Sequence, residues 1–152
     1  MCSQICSAEG EADGLPYDVL RLQAWLEPLA KIAQVECDGM THVISRLLHK
    51  NGIEHVMAGG ELVDLGRLKD PSVGSEADCG VTHWWLELGF SYIIDFRARM
   101  WMGPHAQHGV LIPDEEGRFF YRPHHRGHFQ PLSGPTLDLT AEADVSGWPP
   151  FE

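Results

Sequence analysis

Cys37, His83 and Asp95 supply, in chain order, the residue types of a nucleophile, a proton carrier and an acceptor that can orient that carrier. Cys37 opens the stretch "CDGMTHVISRLLHKNG", in which Met40, Val43, Ile44, Leu47 and Leu48 follow the i, i+3, i+4, i+7, i+8 rule. That spacing predicts an amphipathic helix with the thiol at its N-terminus. A cysteine there faces the positive end of the helix dipole, which favours thiolate over thiol. The free N–H groups of the first turn can also receive the negative oxygen that forms when a carbonyl is attacked. Taken singly, a cysteine at such a position is more often a small buried packing residue.

His83 and Asp95 belong to "GVTHWWLELGFSYIIDF", residues 80–96. Strand alternation puts His83, Trp85 and Glu87 on one face and Thr82, Trp84, Leu86 and Leu88 on the other. The second set is the more apolar, so it is expected to face the core and leave His83 on the polar face. A turn at Gly89 pairs the two runs as a hairpin and brings Asp95 beside His83 or diagonal to it. A carboxylate there fixes the imidazole tautomer and stabilises the imidazolium. A lone His–Asp pair on a hairpin is usually a plain cross-strand contact; the cysteine at a helix start is what gives this one chemical interest.

The elements that must position these residues follow from the rest of the chain. Residues 1–14 are small and acidic and read as a disordered tail. Val19, Leu20, Leu22, Trp25, Leu26, Leu29 and Ile32 predict a helix that Pro28 should kink or divide. Lys50, Asn51 and Gly52 stop the Cys37 helix. "IEHVMA" and "ELVDL" are strands around Gly59 and Gly60, which suggest a bulge or bend, and "GVLIP" and "RFFYRP" around "DEEG" suggest a further hairpin. Helices first and antiparallel strands later predict an α+β domain over 15–135, with 136–152 as a C-terminal arm or tail.

Residues 36 to 97 also carry a resemblance. "CDGMTHVISRLLHKNGIEHVMAGG", then "HWWLEL", then "YIIDF", resembles the transglutaminase-like branch of the papain-like cysteine enzymes. That branch shows a Cys opening a long helix, a Gly ending it, a His-x-Trp-x-Glu strand and a hydrophobic strand ending in Asp; here these are Cys37, Gly52, His83 to Glu87, and Asp95. The resemblance implies a papain-like or transglutaminase-like core, with N-terminal helices packed on an antiparallel sheet. It implies thiolate attack on a carboxamide or peptide carbonyl, with no cofactor. The acyl-enzyme is then resolved by water or an amine, giving proteolysis, deamidation or crosslinking. The substrate is a protein, a peptide or a small amide. Gln34, just upstream of Cys37, is an oxyanion donor by the same resemblance, and Trp85 is a wall for the substrate. The chain departs from the pattern at Trp84, where the family often has a small residue, and nothing beyond Asp95 matches.

Other readings compete. His105, His108, His124, His125 and His128 have spacings that chelate zinc on a helix, but they sit among Pro and Gly in segments that read as loops, so no metal is expected. Cys79 is a second thiol, in a polar loop with no helix dipole to activate it; Arg97 and Arg99 are cations available to a substrate. With 152 residues and a formal net charge of -11, the chain has no basic face for nucleic acid or an anionic membrane. Its four cysteines are unevenly spread and its N-terminus lacks a basic, then apolar, leader, which predicts a cytoplasmic protein with reduced thiols, later signal-less export aside. The alternative to an enzyme is a catalytically silent acidic module of the same fold that recognises a basic protein partner.

Overall fold

A computed structural model describes residues 15–32, 37–89, 91–113, 117–128, 145 and 147–152. Helices α1 (Val19–Ile32) and α2 (Cys37–Lys50) precede strand β1 (Val56–Asp64). Two short 3-10 turns, Leu65–Lys69 and Glu76–Cys79, lead to β2 (Gly80–Leu88) and β3 (Tyr92–Asp95). A one-turn helix α3 (Ala98–Met102) is followed by β4 (Gly109–Leu111) and β5 (Phe119–Gly127). The strands form one antiparallel sheet in the order β4-β3-β2-β1-β5, so the chain is α+β.

Helix α2 forms where its apolar spacing requires. Met40, Val43, Ile44, Leu47 and Leu48 are buried against Leu22, Leu26 and Leu29 of α1 and against Leu86, Leu88 and Ile94 of the sheet. Its end is a Schellman cap: Ile53 N–H donates to Leu48 O at 2.9 Å, Gly52 N–H donates to His49 O at 3.1 Å, and Gly52 has φ of 70°. A side chain at Gly52 would strain that left-handed turn. These contacts fix α2 over β2 and so fix where its first residue, Cys37, stands.

Several expectations are corrected. Helix α1 runs through Pro28 undivided; a proline removes one backbone hydrogen bond, and the burial of Leu22, Leu26 and Leu29 holds the helix on both sides of it. β4 and β5 are not a hairpin: β4 pairs with β3 at one edge of the sheet, while β5 pairs with β1 at the other. His124 and His125 lie on β5, not in a loop. The bulge or bend expected at Gly59 and Gly60 is present as a bulge, where the register to β5 shifts, but the two flanking runs are one continuous β1. A side chain on Gly60 would collide with the Arg122 carbonyl, so the close approach of β5 depends on that glycine.

The sheet is covered on both faces. α1 and α2 bury the face with Leu86 and Ile94; Ala98 and Met102 of α3, with Ala106, pack near Leu62, Phe119 and Tyr121 on the other. His83 therefore does not project from an exposed polar face, and the expectation that it does is wrong. The end of the chain also docks: Trp25 Nε1 donates to Pro149 O at 2.8 Å and Phe151 N–H to Asn51 Oδ1 at 3.0 Å, with Phe151 against Tyr17 and Trp25. The tail over 1–14, and most of 136–152, lie outside the described residues. Among the described residues no helix is long and apolar enough to cross a membrane.

Candidate active site

Asp95 is the last residue of β3, just past the final β2–β3 pair, Leu86↔Ile94. Its position explains its contacts. Oδ1 accepts the N–H groups of Arg97 and Ala98, both at 2.9 Å, and so caps the turn into α3. Oδ2 accepts from His83 Nε2 at 2.7 Å and from the Tyr121 hydroxyl at 2.8 Å. The side chain is 1% exposed, and both carboxylate oxygens are doubly hydrogen-bonded. Such an acceptor cannot rotate without losing several bonds at once.

His83 is fully buried. It stands opposite Gly60 in the β1–β2 register, where no side chain competes for the space. Trp85 stacks at 6.3 Å between ring centroids with an interplanar angle of 22°, and Tyr121 lies at 6.5 Å. Burial alone would lower the imidazole pKa. The hydrogen bond to Asp95, the neighbouring Cys37 and the charge of both outweigh it and push the ring up to about 9. The second ring nitrogen, Nδ1, is buried and meets no partner within ordinary hydrogen-bond limits. Cys37 is nonetheless near enough to favour the protonated ring.

Cys37 is the first residue of α2 and is 8% exposed. Its carbonyl accepts from Thr41 Oγ1 at 2.7 Å, which ties down the first turn. Cys37 and Asp95 line the same small cavity of about 10 Å³, together with Trp84, Thr41 and Arg97. That space holds roughly one water. The structure therefore brings Cys37, His83 and Asp95 into one neighbourhood, from a helix start and two strands that are distant in sequence.

The remaining candidates fare differently. Gln34 lies outside the described residues. Trp85 is 1% exposed and packs with Ala58, Ile93 and Tyr121, so it supports the imidazole from within; its neighbour Trp84, on the opposite face, is the tryptophan that lines the thiol cavity. Glu87 pairs with Arg126 of β5 at 2.8 Å. Arg97 is nearly buried and donates to the carbonyls of Ala30 and Phe96, and Arg99 Nε donates to Ala106 O, so both tie backbone together. Cys79 is fully buried beside the Ser75 carbonyl, and burial pushes its thiol pKa up. Among the described residues no group of three or more His, Cys, Asp or Glu is arranged to hold a metal. His108 instead bonds Glu27 at 3.0 Å.

Tyr121 is the contributor that sequence reasoning missed. It reaches Asp95 from β5, across the small residues Ala58 and Gly60 of β1. Burial first, then the nearby Asp95 charge, push its hydroxyl pKa well up, so it acts as a fixed donor. Its only signal in the sequence is a run of small residues on the intervening strand, legible only once the strand order is known. Comparison with protein-family models, with curated proteins and with solved structures finds no match to this chain.

Proposed function

We propose that this chain is a cysteine-dependent hydrolase or acyltransferase acting on a carboxamide or peptide carbonyl, with a core of the papain-like, transglutaminase-like kind. Cys37 is the nucleophile, His83 the proton carrier and Asp95 its orienter. The observation that carries the reading is the buried 2.7 Å bond from His83 Nε2 to Asp95 on a ring that also senses Cys37. Nε2 is committed to Asp95, which leaves Nδ1 for the thiol. A ring that stays protonated to about pH 9 supplies the positive charge a thiolate needs beside it.

The Cys37 proton resides on His83 Nδ1 while the sulfur attacks the carbonyl carbon. The oxygen takes up negative charge near the first-turn N–H groups of α2. As the tetrahedral centre collapses, the C–N bond breaks and Nδ1 returns its proton to the leaving amine, leaving a thioester on Cys37. Nδ1 next accepts a proton from water or from an amine as that nucleophile attacks the thioester, and Cys37 is released with the proton back on the ring. Asp95 holds the ring throughout and stabilises its charged form.

The acidic binding module is the second reading, favoured by one observation: Cys37 is only 8% exposed, beside a cavity of about 10 Å³. An activated ester separates the two. Incubation with p-nitrophenyl acetate should release p-nitrophenol and leave one acetyl group on Cys37 by intact and peptide mass. Cys37→Ala should abolish it, and His83→Ala should slow it by about 100-fold or more. No acetylation at Cys37, or acetylation unchanged by His83→Ala, would leave the binding module as the standing reading.

A further inference from the structure

We infer that Trp84 is the size filter for whatever reaches Cys37, so that the thiol accepts slender, unbranched acyl groups and excludes bulky ones. The acyl chemistry in this statement rests on the proposed function; the filter itself rests on geometry.

Three observations carry it. Trp84 lines the cavity of about 10 Å³ that Cys37 also lines. Of the described residues around that cavity, Trp84 alone is half-buried, whereas Met40, Thr41, Ile44, Phe96 and Arg97 are buried. Among the described lining residues, the indole is thus the side chain that reaches solvent. Thirdly, Trp84 pairs with Gly59 in the β1–β2 register, and a Cβ on Gly59 would sit 2.8 Å from the indole ring. The large ring has its seat because the facing strand has no side chain there. The indole edge also meets His125 of β5, at 6.4 Å between centroids. The ring lies against bare backbone on one side, with the exposed His125 imidazole at its other flank. An apolar wall beside a reacting group discriminates by shape at roughly 10- to 200-fold for each added methylene.

The test compares two thiol reagents of different girth, iodoacetamide and N-ethylmaleimide, on the full chain. Rates at Cys37 are read by peptide mass spectrometry, which separates it from Cys2, Cys6 and Cys79, and each is divided by the same reagent's rate with glutathione. In the native chain the normalised maleimide rate should fall about tenfold or more below the normalised iodoacetamide rate. Trp84→Ala should close that gap and Trp84→Phe should narrow it. The Phe variant keeps an aromatic ring in the seat and serves if the Ala variant does not fold, with circular dichroism as the control. Equal normalised rates in the native chain, or an unchanged gap in folded Trp84→Phe, would overturn the filter. His83→Ala should slow both reagents and leave their ratio alone. If instead His83→Ala slows neither, the catalytic reading falls while the filter is still judged by the ratio.

Discussion

Two strands of this sheet end in a buried aspartate: β1 in Asp64, which is 2% exposed, and β3 in Asp95. The two begin alike. Each takes backbone N–H groups from the turn that follows, Asp64 from Gly66 and Asp95 from Arg97 and Ala98. They differ in the side chain that completes them. Asp64 holds the Arg118 guanidinium through bonds of 2.6 and 3.0 Å. Asp95 holds an imidazole. A guanidinium does not give up its proton in a protein, so the first site can only tie β1 to the start of β5. An imidazole can take a proton and return it. The same strand-ending device is a structural clamp in one place and a candidate for proton transfer in the other, and the partner decides which.

Removing the partners one at a time separates the two sites. Asp95→Ala deprives His83 and Tyr121 of their shared acceptor and uncaps α3. It should cost about 3–5 kcal/mol in urea unfolding, because it leaves buried polar groups unpaired. In whatever fraction folds, it should slow Cys37 acetylation about 100-fold. Arg118→Ala should cost about 1–3 kcal/mol, since the guanidinium side is half exposed, and should leave acetylation of Cys37 alone. A comparable loss of acetylation in Arg118→Ala would erase the distinction between clamp and proton site.

A smaller effect sharpens it through pH. Burial by itself would raise the Asp64 carboxyl, but the Arg118 bond, the Gly66 N–H and nearby positive charge hold it below its ordinary value. A depressed carboxylate stabilises the fold above the ordinary carboxylate range, and that share is lost as pH falls through the depressed value. His83 is shifted the other way. Its share is complete below the ordinary imidazole value of 6.5 and fades as pH rises to about 9. Stability measured across pH should therefore decline at both ends. Arg118→Ala should flatten the acid limb and leave the alkaline limb as it is, and Asp95→Asn should flatten the alkaline limb. Flattening of the alkaline limb by Arg118→Ala would mean that the two sites are not independent.

What the sequence made legible was local. The α2 helix could be read with its start at Cys37 and its stop at Gly52, because apolar spacing and a positive-φ glycine are properties of neighbouring residues. The pairing of His83 with Asp95 was equally readable, since a tight turn at Gly89 sets the register of a hairpin. What escaped was set at long range. β4 and β5 read as a hairpin because only their closeness in sequence is visible, whereas each is captured by a different open edge of the sheet. The coverage of His83 was missed for the same reason: Tyr121 and α3 arrive from later segments and turn a face that alternates as polar into a buried one. Trp85 is buried once that second face is covered, and Trp84 is the tryptophan that lines the cavity beside Cys37.

The central claim is that Cys37, His83 and Asp95 act on one proton. An NMR titration of the His83 ring in the folded chain tests it without any substrate. The ring should titrate near 9, and its midpoint should fall in both Cys37→Ala and Asp95→Asn. A midpoint close to the ordinary value of 6.5 that neither substitution moves would contradict the claim.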